Sequence, residues 1–213
     1  MPQDGFTTLD FNCMQLPGLD ERMSAIRQQI QPQFHRIADQ LIPFLNEKER
    51  AEPAFCAHIA RHARRTVHPP ESTWLALAQD KRGYKKHPHF QFGIWPNHLF
   101  FWLAFIDDYP YKKELGEAML SHMPNLMQTF PPSFAWSSDH TAADYTLQGE
   151  LTANDLQQLL IRLTKVKKAE LLCGVVIPKQ EAIAASEEQL IAYLKEQIVK
   201  LLPLYELALH STI

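Results

Sequence analysis

The most continuously apolar stretch of the chain is Leu99 to Ile106, LFFWLAFI, and just before it Phe90, Phe92 and Ile94 alternate with His89, Gln91 and Gly93. Alternation with a period of two is the pattern of a strand with one buried face, because successive side chains point to opposite sides. A run that is apolar at every position fits a strand covered on both faces. At eight residues it is far shorter than the roughly 20 a membrane-spanning helix needs. Trp95-Pro96-Asn97 between the two is a turn signal, so the pattern predicts a hairpin at the centre of a sheet.

The remaining periodicity is arranged around that hairpin. Phe6 to Leu16 is expected to be extended and to dock through Phe6, Leu9 and Phe11. Asp20 is placed to cap a helix carrying Leu19, Met23, Ile26 and Ile30, with Pro32 opening a second helix or kinking the first. Phe34, Ile37, Leu41 and Leu45 continue the stripe, and Arg22, Arg27, Gln28, Arg36 and Asp39 read as its solvated face. Residues 55–67 fit strand or helix, and the strand is favoured because Val67-His68-Pro69-Pro70 ends extended. Trp74 to Ala78 is a further short strand. Leu115, Met119, Met123, Leu126 and Phe130 form a helical stripe broken near Pro124. Short apolar pieces follow at Phe134 to Trp136 and Tyr145 to Leu147. Thr152 with Asp155, and Ser186 with Gln189, are capping-box starts for helices bearing Leu156, Leu160 and Leu163, then Leu190, Leu194, Ile198 and Leu201. Pro203 is expected to end the last helix, and Leu171 to Ile177 is a buried strand. No linker divides the chain, so residues 1–213 read as one α+β domain: a mixed or antiparallel sheet with a central apolar hairpin, packed by N- and C-terminal helices.

Composition adds a large core and an uneven charge distribution. Hydrophobic residues make up 46% of 213 positions, and 21 Lys and Arg against 24 Asp and Glu leave a net charge of −3. Bulk attraction to nucleic acid or to an anionic membrane is not expected from that balance. Between His58 and His89, however, Arg61, Arg64, Arg65, Lys81, Arg82, Lys85 and Lys86 face only Glu71 and Asp80. Cys13, Cys56 and Cys173 have no CxxC spacing and sit among apolar residues, as small buried thiols do. With no secretion signal in residues 1–4 onward, the cytoplasm is the expected compartment.

Four stretches carry a resemblance to a known family: HIARHARRTVHPPESTW, KRGYKKHPHFQFGIW, WSSDHT and VKKAELLCG. Together with Phe6-x3-Asp10-Phe11 and Gly18 to Met23 (GLDERM), they resemble the YktB-like family, UPF0637 or DUF1054, over essentially the whole chain. The resemblance implies a single-domain α+β protein of bacteria, mainly Gram-positive ones. No activity is established for that family, so no catalytic residue is carried over.

Candidate chemistry therefore comes from the residues themselves. Paired arginines followed by a basic, glycine-containing loop can cradle a phosphate or carboxylate, which nominates Arg64, Arg65, Lys81, Arg82, Tyr84 and His89 as ligand contacts. Gly83 is expected to adopt a positive φ or to allow a close backbone approach. His58-x3-His62 and His87-Pro88-His89 have chelating spacings but lack an evident third ligand beyond Asp139 or His140. No metal or cofactor is expected. Asp139-His140 could shuttle protons, or simply form a turn. GxSxG, GxxxxGK[ST] and GxGxxG are absent. The leading expectation is a site for a phosphate-bearing or other anionic small molecule, with catalysis unassigned. The alternatives are a nucleic-acid module in which Tyr84, Trp74 or Trp95 stack on bases, and a protein-interaction domain without chemistry.

Overall fold

The computed structural model of the chain describes residues 5–50 and 52–210; residues 1–4, on which the expectation about a secretion signal rested, lie outside the described residues. In chain order it contains α1 (Thr8–Cys13), α2 (Leu19–Ala25), α3 (Gln31–Glu49), β1 (Cys56–Ile59), β2 (Thr73–Ala78), β3 (His89–Ile94) and β4 (His98–Phe105). There follow α4 (Lys112–Ser121), α5 (Met123–Thr129), β5 (Ala135–Ser137), β6 (Thr146–Leu147), α6 (Ala153–Lys165), β7 (Leu171–Pro178), α7 (Lys179–Ala184) and α8 (Glu187–His210). The strands form one seven-stranded sheet in the order β1-β2-β3-β4-β7-β5-β6. Every pairing is antiparallel.

The β3–β4 hairpin lies at the centre, and all fourteen of its strand positions are buried. Its register pairs Phe90 with Leu103 and Phe92 with Phe101, so these side chains share one face with Leu75, Leu77, Cys173 and Val175. Phe90 stacks on Phe101 at 5.8 Å and on Tyr205 of α8 at 5.4 Å. That face carries the main core, to which the buried residues of α3, α4, α6 and α8 belong. The opposite face holds a smaller cluster of Trp95, Phe100, Trp102, Ala104, Ile106, Ala135 and Leu172, backed by Trp74 and Tyr84, with no helical residue in it. Loops rather than helices roof it, and Trp74, Tyr84, Leu147 and Val176 at its margin are only partly buried. The two strand glycines serve close approaches: a Cβ on Gly93 would strike the Phe100 ring, and one on Gly174 the Phe101 carbonyl.

Several local expectations are corrected. Phe6 to Leu16 is not extended: Thr7 and Asp10 form a capping box that starts α1. Phe6 and Phe11 are buried as expected, while Leu9 points to solvent. Gly18 rather than Asp20 precedes α2, and Asp20 with Glu21 sits in its first turn, where carboxylates complement the helix dipole. Pro32 does open a second helix as expected, after a π-helical turn, Ile26–Ile30, whose widening accommodates a proline that cannot donate to the residue four back. Arg22 is buried and donates to the Leu16 and Pro70 carbonyls at 2.6 and 2.8 Å. Of residues 55–67 only Cys56–Ile59 is a strand; beyond Ala60 the chain turns, with His62 at a φ of 49°. α8 runs through Pro203 to His210 because Leu204, Tyr205 and Ala208 bury beyond it. Both predicted capping boxes, at Thr152 and Ser186, are formed. Among the described residues no helix is long and apolar enough to cross a membrane.

Phe101→Ala should cost about 3–5 kcal/mol, because the ring is fully buried between β3, β7 and α8. Urea unfolding of the variant checks this, and a midpoint unchanged from the parent would remove β4 from the core.

Candidate functional site

The loop between β2 and β3 is shaped by one carboxylate. Asp80 accepts the Arg82 backbone N–H at 2.8 Å and the His87 Nε2–H at 3.1 Å. The hydrogen bond from Arg82 is the main cause that holds its carboxyl below the usual range, with the His87 contact adding to it. His87 N–H closes a turn on the Tyr84 carbonyl at 3.0 Å. Gly83 has no positive φ and open space around it, so neither role expected of it is needed.

This fold of the loop swings Tyr84 back over the open face of the sheet. Its ring meets His89 edge-on at 4.8 Å and lies 5.7 Å from His58. Its hydroxyl accepts the Trp74 Nε1–H at 3.1 Å. His58 is held by its Nε2–H, which donates to the Asp80 carbonyl at 2.9 Å. Between the loop, the β1 edge and Asp108 lies an open cleft of about 840 Å³. Its cations are Arg61, Lys81, Arg82, Lys85 and Lys86, and its carboxylates are Asp80 and Asp108. Among the described residues none of those five cations forms an ion pair.

The six residues expected from sequence divide. Lys81, Arg82 and Tyr84 line the cleft. Arg64 and Arg65 are exposed on the turn after β1 and are not among its lining residues, while Arg61, three positions earlier, is. His89 is fully buried beneath Tyr84. The chelating pairs do not assemble: His58 is engaged with Asp80, His62 with the Thr73 hydroxyl at 3.1 Å, and His89 with His87 and Gln91.

A second group on the same face was half visible in sequence. His140 is oriented by a carboxylate, but it is Glu170, at the start of β7, and not Asp139. Glu170 Oε2 accepts both the His140 Nδ1–H at 2.7 Å and its backbone N–H at 2.9 Å, while Oε1 accepts the Asp107 N–H at 3.1 Å. Asp139 instead caps its own turn through the Thr141 N–H and hydroxyl, both at 2.7 Å. With Nδ1 committed to Glu170, Nε2 is the ring nitrogen left to exchange a proton. The His140 ring lies edge-on to Trp74 at 5.9 Å. Asp139, His140 and Glu170 are also the one group of three among the described residues whose ligand atoms converge, all within 4.8 Å. Glu170 already accepts three N–H groups, so the hydrogen-bonded dyad accounts for its burial without a metal.

A family described as "Domain of unknown function (DUF1054)" matches residues 6–205. A UPF0637 protein of Oceanobacillus iheyensis is 43% identical over 208 residues, covering 98% of both chains. UPF0637 proteins of Bacillus licheniformis and Bacillus mycoides are 41% and 42% identical over 202 residues, about 95% of each chain. The chain belongs to the UPF0637 family. In this UPF0637 protein the four stretches that carried the resemblance converge on the open face, through His58 and His62, Tyr84 and His89, His140, and Glu170.

Two histidines of this face, His62 and His89, are kept neutral by burial. His89 donates Nδ1–H to the His87 carbonyl at 2.8 Å and accepts from Gln91 Nε2 at 2.9 Å, which fixes its tautomer. Burial depresses its pKa to about 3, and the nearby His140, His58 and His87 push the same way. Burial lowers His62 and His98 to about 4. Unfolded histidines bind a proton near pH 6.5 and the folded ones resist, so stability is complete above that pH and falls as pH drops toward the folded values. Between pH 7 and 5 His89 should contribute a slope approaching about 1.4 kcal/mol per unit. Urea unfolding at pH 7, 6 and 5 reads it, with a shallower dependence expected for His89→Gln; parallel profiles would contradict a neutral His89. Glu170→Ala strands three N–H donors and should cost about 3 kcal/mol or more. An unchanged urea midpoint would count against the dyad as a fastening of β5 and β7 loops.

Proposed function

We propose that this protein binds a small anionic molecule, with phosphate as the favoured anion, in the cleft between the β2–β3 loop and the edge of β1. The observation that carries the reading is the set of five cations, Arg61, Lys81, Arg82, Lys85 and Lys86, gathered on one concavity without an ion-pair partner among the described residues. Like charges held together repel, so an anion that neutralises them is bound favourably, and guanidinium groups add bidentate geometry. Arg64 and Arg65 extend the positive field from the neighbouring turn and steer an anion toward the cleft. The three unpaired thiols suit a reducing compartment such as the cytoplasm.

A pocket is favoured over a nucleic-acid groove because the cations occupy one short loop and one strand edge on a chain of net charge −3. Phosphate, at about ten times its dissociation constant, should raise the melting temperature by about 3–6 °C. Arg82→Ala and Lys81→Ala, both at exposed positions, should reduce that shift without lowering the parent melting temperature. Five contacts along duplex DNA would instead give a log–log salt slope of about −4 to −5. Tight oligonucleotide binding with such a slope, and no shift from small anions, would overturn the pocket reading.

A further inference from the structure

We propose that the ligand of the basic cleft is a nucleoside monophosphate, an anion that also carries hydroxyls and a planar ring; this rests on the anion-binding reading above and narrows it. A cavity of about 840 Å³ is much larger than a phosphate group, and is in the range of pockets that enclose whole organic ligands. Its polarity is divided. The basic loop supplies Lys81, Arg82, Lys85 and Lys86, whereas Asp108 also lines the cleft and accepts no hydrogen bond from the described residues. Asp80, the other carboxylate, is already occupied by Arg82 N–H and His87. A free carboxylate repels a bare anion and accepts from O–H and N–H donors, so a ligand spanning the cleft gains by presenting phosphate to the loop and hydroxyls or amines to Asp108.

Part of the lining is aromatic. His58 and Tyr84 both belong to it, with centroids 5.7 Å apart and planes at 50°. That spacing leaves no room for a third ring between them, so a base lies against the wall instead. Tyr84 is fixed there by His89 and Trp74, and since its hydroxyl oxygen accepts from Trp74, its own O–H remains available as a donor.

Isothermal titration calorimetry of the full chain with AMP, ribose 5-phosphate and inorganic phosphate at one ionic strength tests the inference. AMP should bind at least about fivefold more tightly than inorganic phosphate, the low end of what one stacked base contributes, with ribose 5-phosphate between them. Tyr84→Leu should bring AMP down to the ribose 5-phosphate level. Asp108→Asn, at an exposed position that does not support the fold, should weaken ribose 5-phosphate while tightening inorganic phosphate. Equal affinity for AMP and inorganic phosphate, or an Asp108→Asn variant with the parent order and affinities, overturns the ligand class and leaves the anion cleft standing. Failure of all three to bind overturns the cleft reading and this inference together.

Discussion

The β3–β4 pair is buried along its whole length on both faces, and most of the architecture follows from that requirement. An antiparallel pair this apolar needs neighbours on each edge, which β2 and β7 provide, and a cover on each face. One face is covered by α3, α4, α6 and α8, the last joined to it by the Phe101–Phe90–Tyr205 stack. The other is covered by loops, and loops bring polar groups. His89 and Gln91 are therefore buried on a strand whose alternate positions are phenylalanines, and they are tolerated because they hydrogen-bond to each other and to the His87 carbonyl.

That loop-covered face is where the chemistry of the chain gathers. Tyr84 stands on His89, Trp74 donates to Tyr84, and His140 leans on Trp74 while Glu170 holds it from β7. The inner part of the site is thus a row of imidazoles and aromatic rings supported by strands. The charged part is the exposed rim of the β2–β3 loop, held in shape by Asp80 and by the turn that His87 closes on Tyr84. A rigid aromatic floor with a cationic rim suits a ligand that has both a ring and an anion, and the Glu170–His140 dyad supplies a nitrogen at which a proton can move.

The central hairpin was legible because eight apolar residues in a row admit few alternatives. The capping boxes at Thr152 and Ser186 were legible for a similar reason: their signal lies within four residues. α1 carries the same kind of signal in Thr7-x2-Asp10, but Phe6, Leu9 and Phe11 read as an extended docking segment and masked it. Pro203 shows the opposite failure, in which a local helix breaker is outweighed by burial of Leu204 and Tyr205. Lys81, Arg82 and Tyr84 line the cleft together because they share one loop, whereas Arg61 lines it in place of Arg64 and Arg65 because of where β1 stops. Glu170 could not be paired with His140 from sequence, since they are 30 residues apart and meet only because β5 and β7 are neighbours in the sheet. The signal that was available is the charged Glu170 immediately before an apolar strand, a position where burial demands partners.

The central claim is that the β2–β3 loop and the β1 edge form one anion site. Titrating the ¹⁵N-labelled protein with inorganic phosphate and following backbone amide shifts tests it most directly. Saturable shifts concentrated at residues 57–61 and 80–87, with the helical face silent, are the predicted result. Shifts scattered over the surface that never saturate, or the absence of shifts around Lys81 and Arg82, would contradict it.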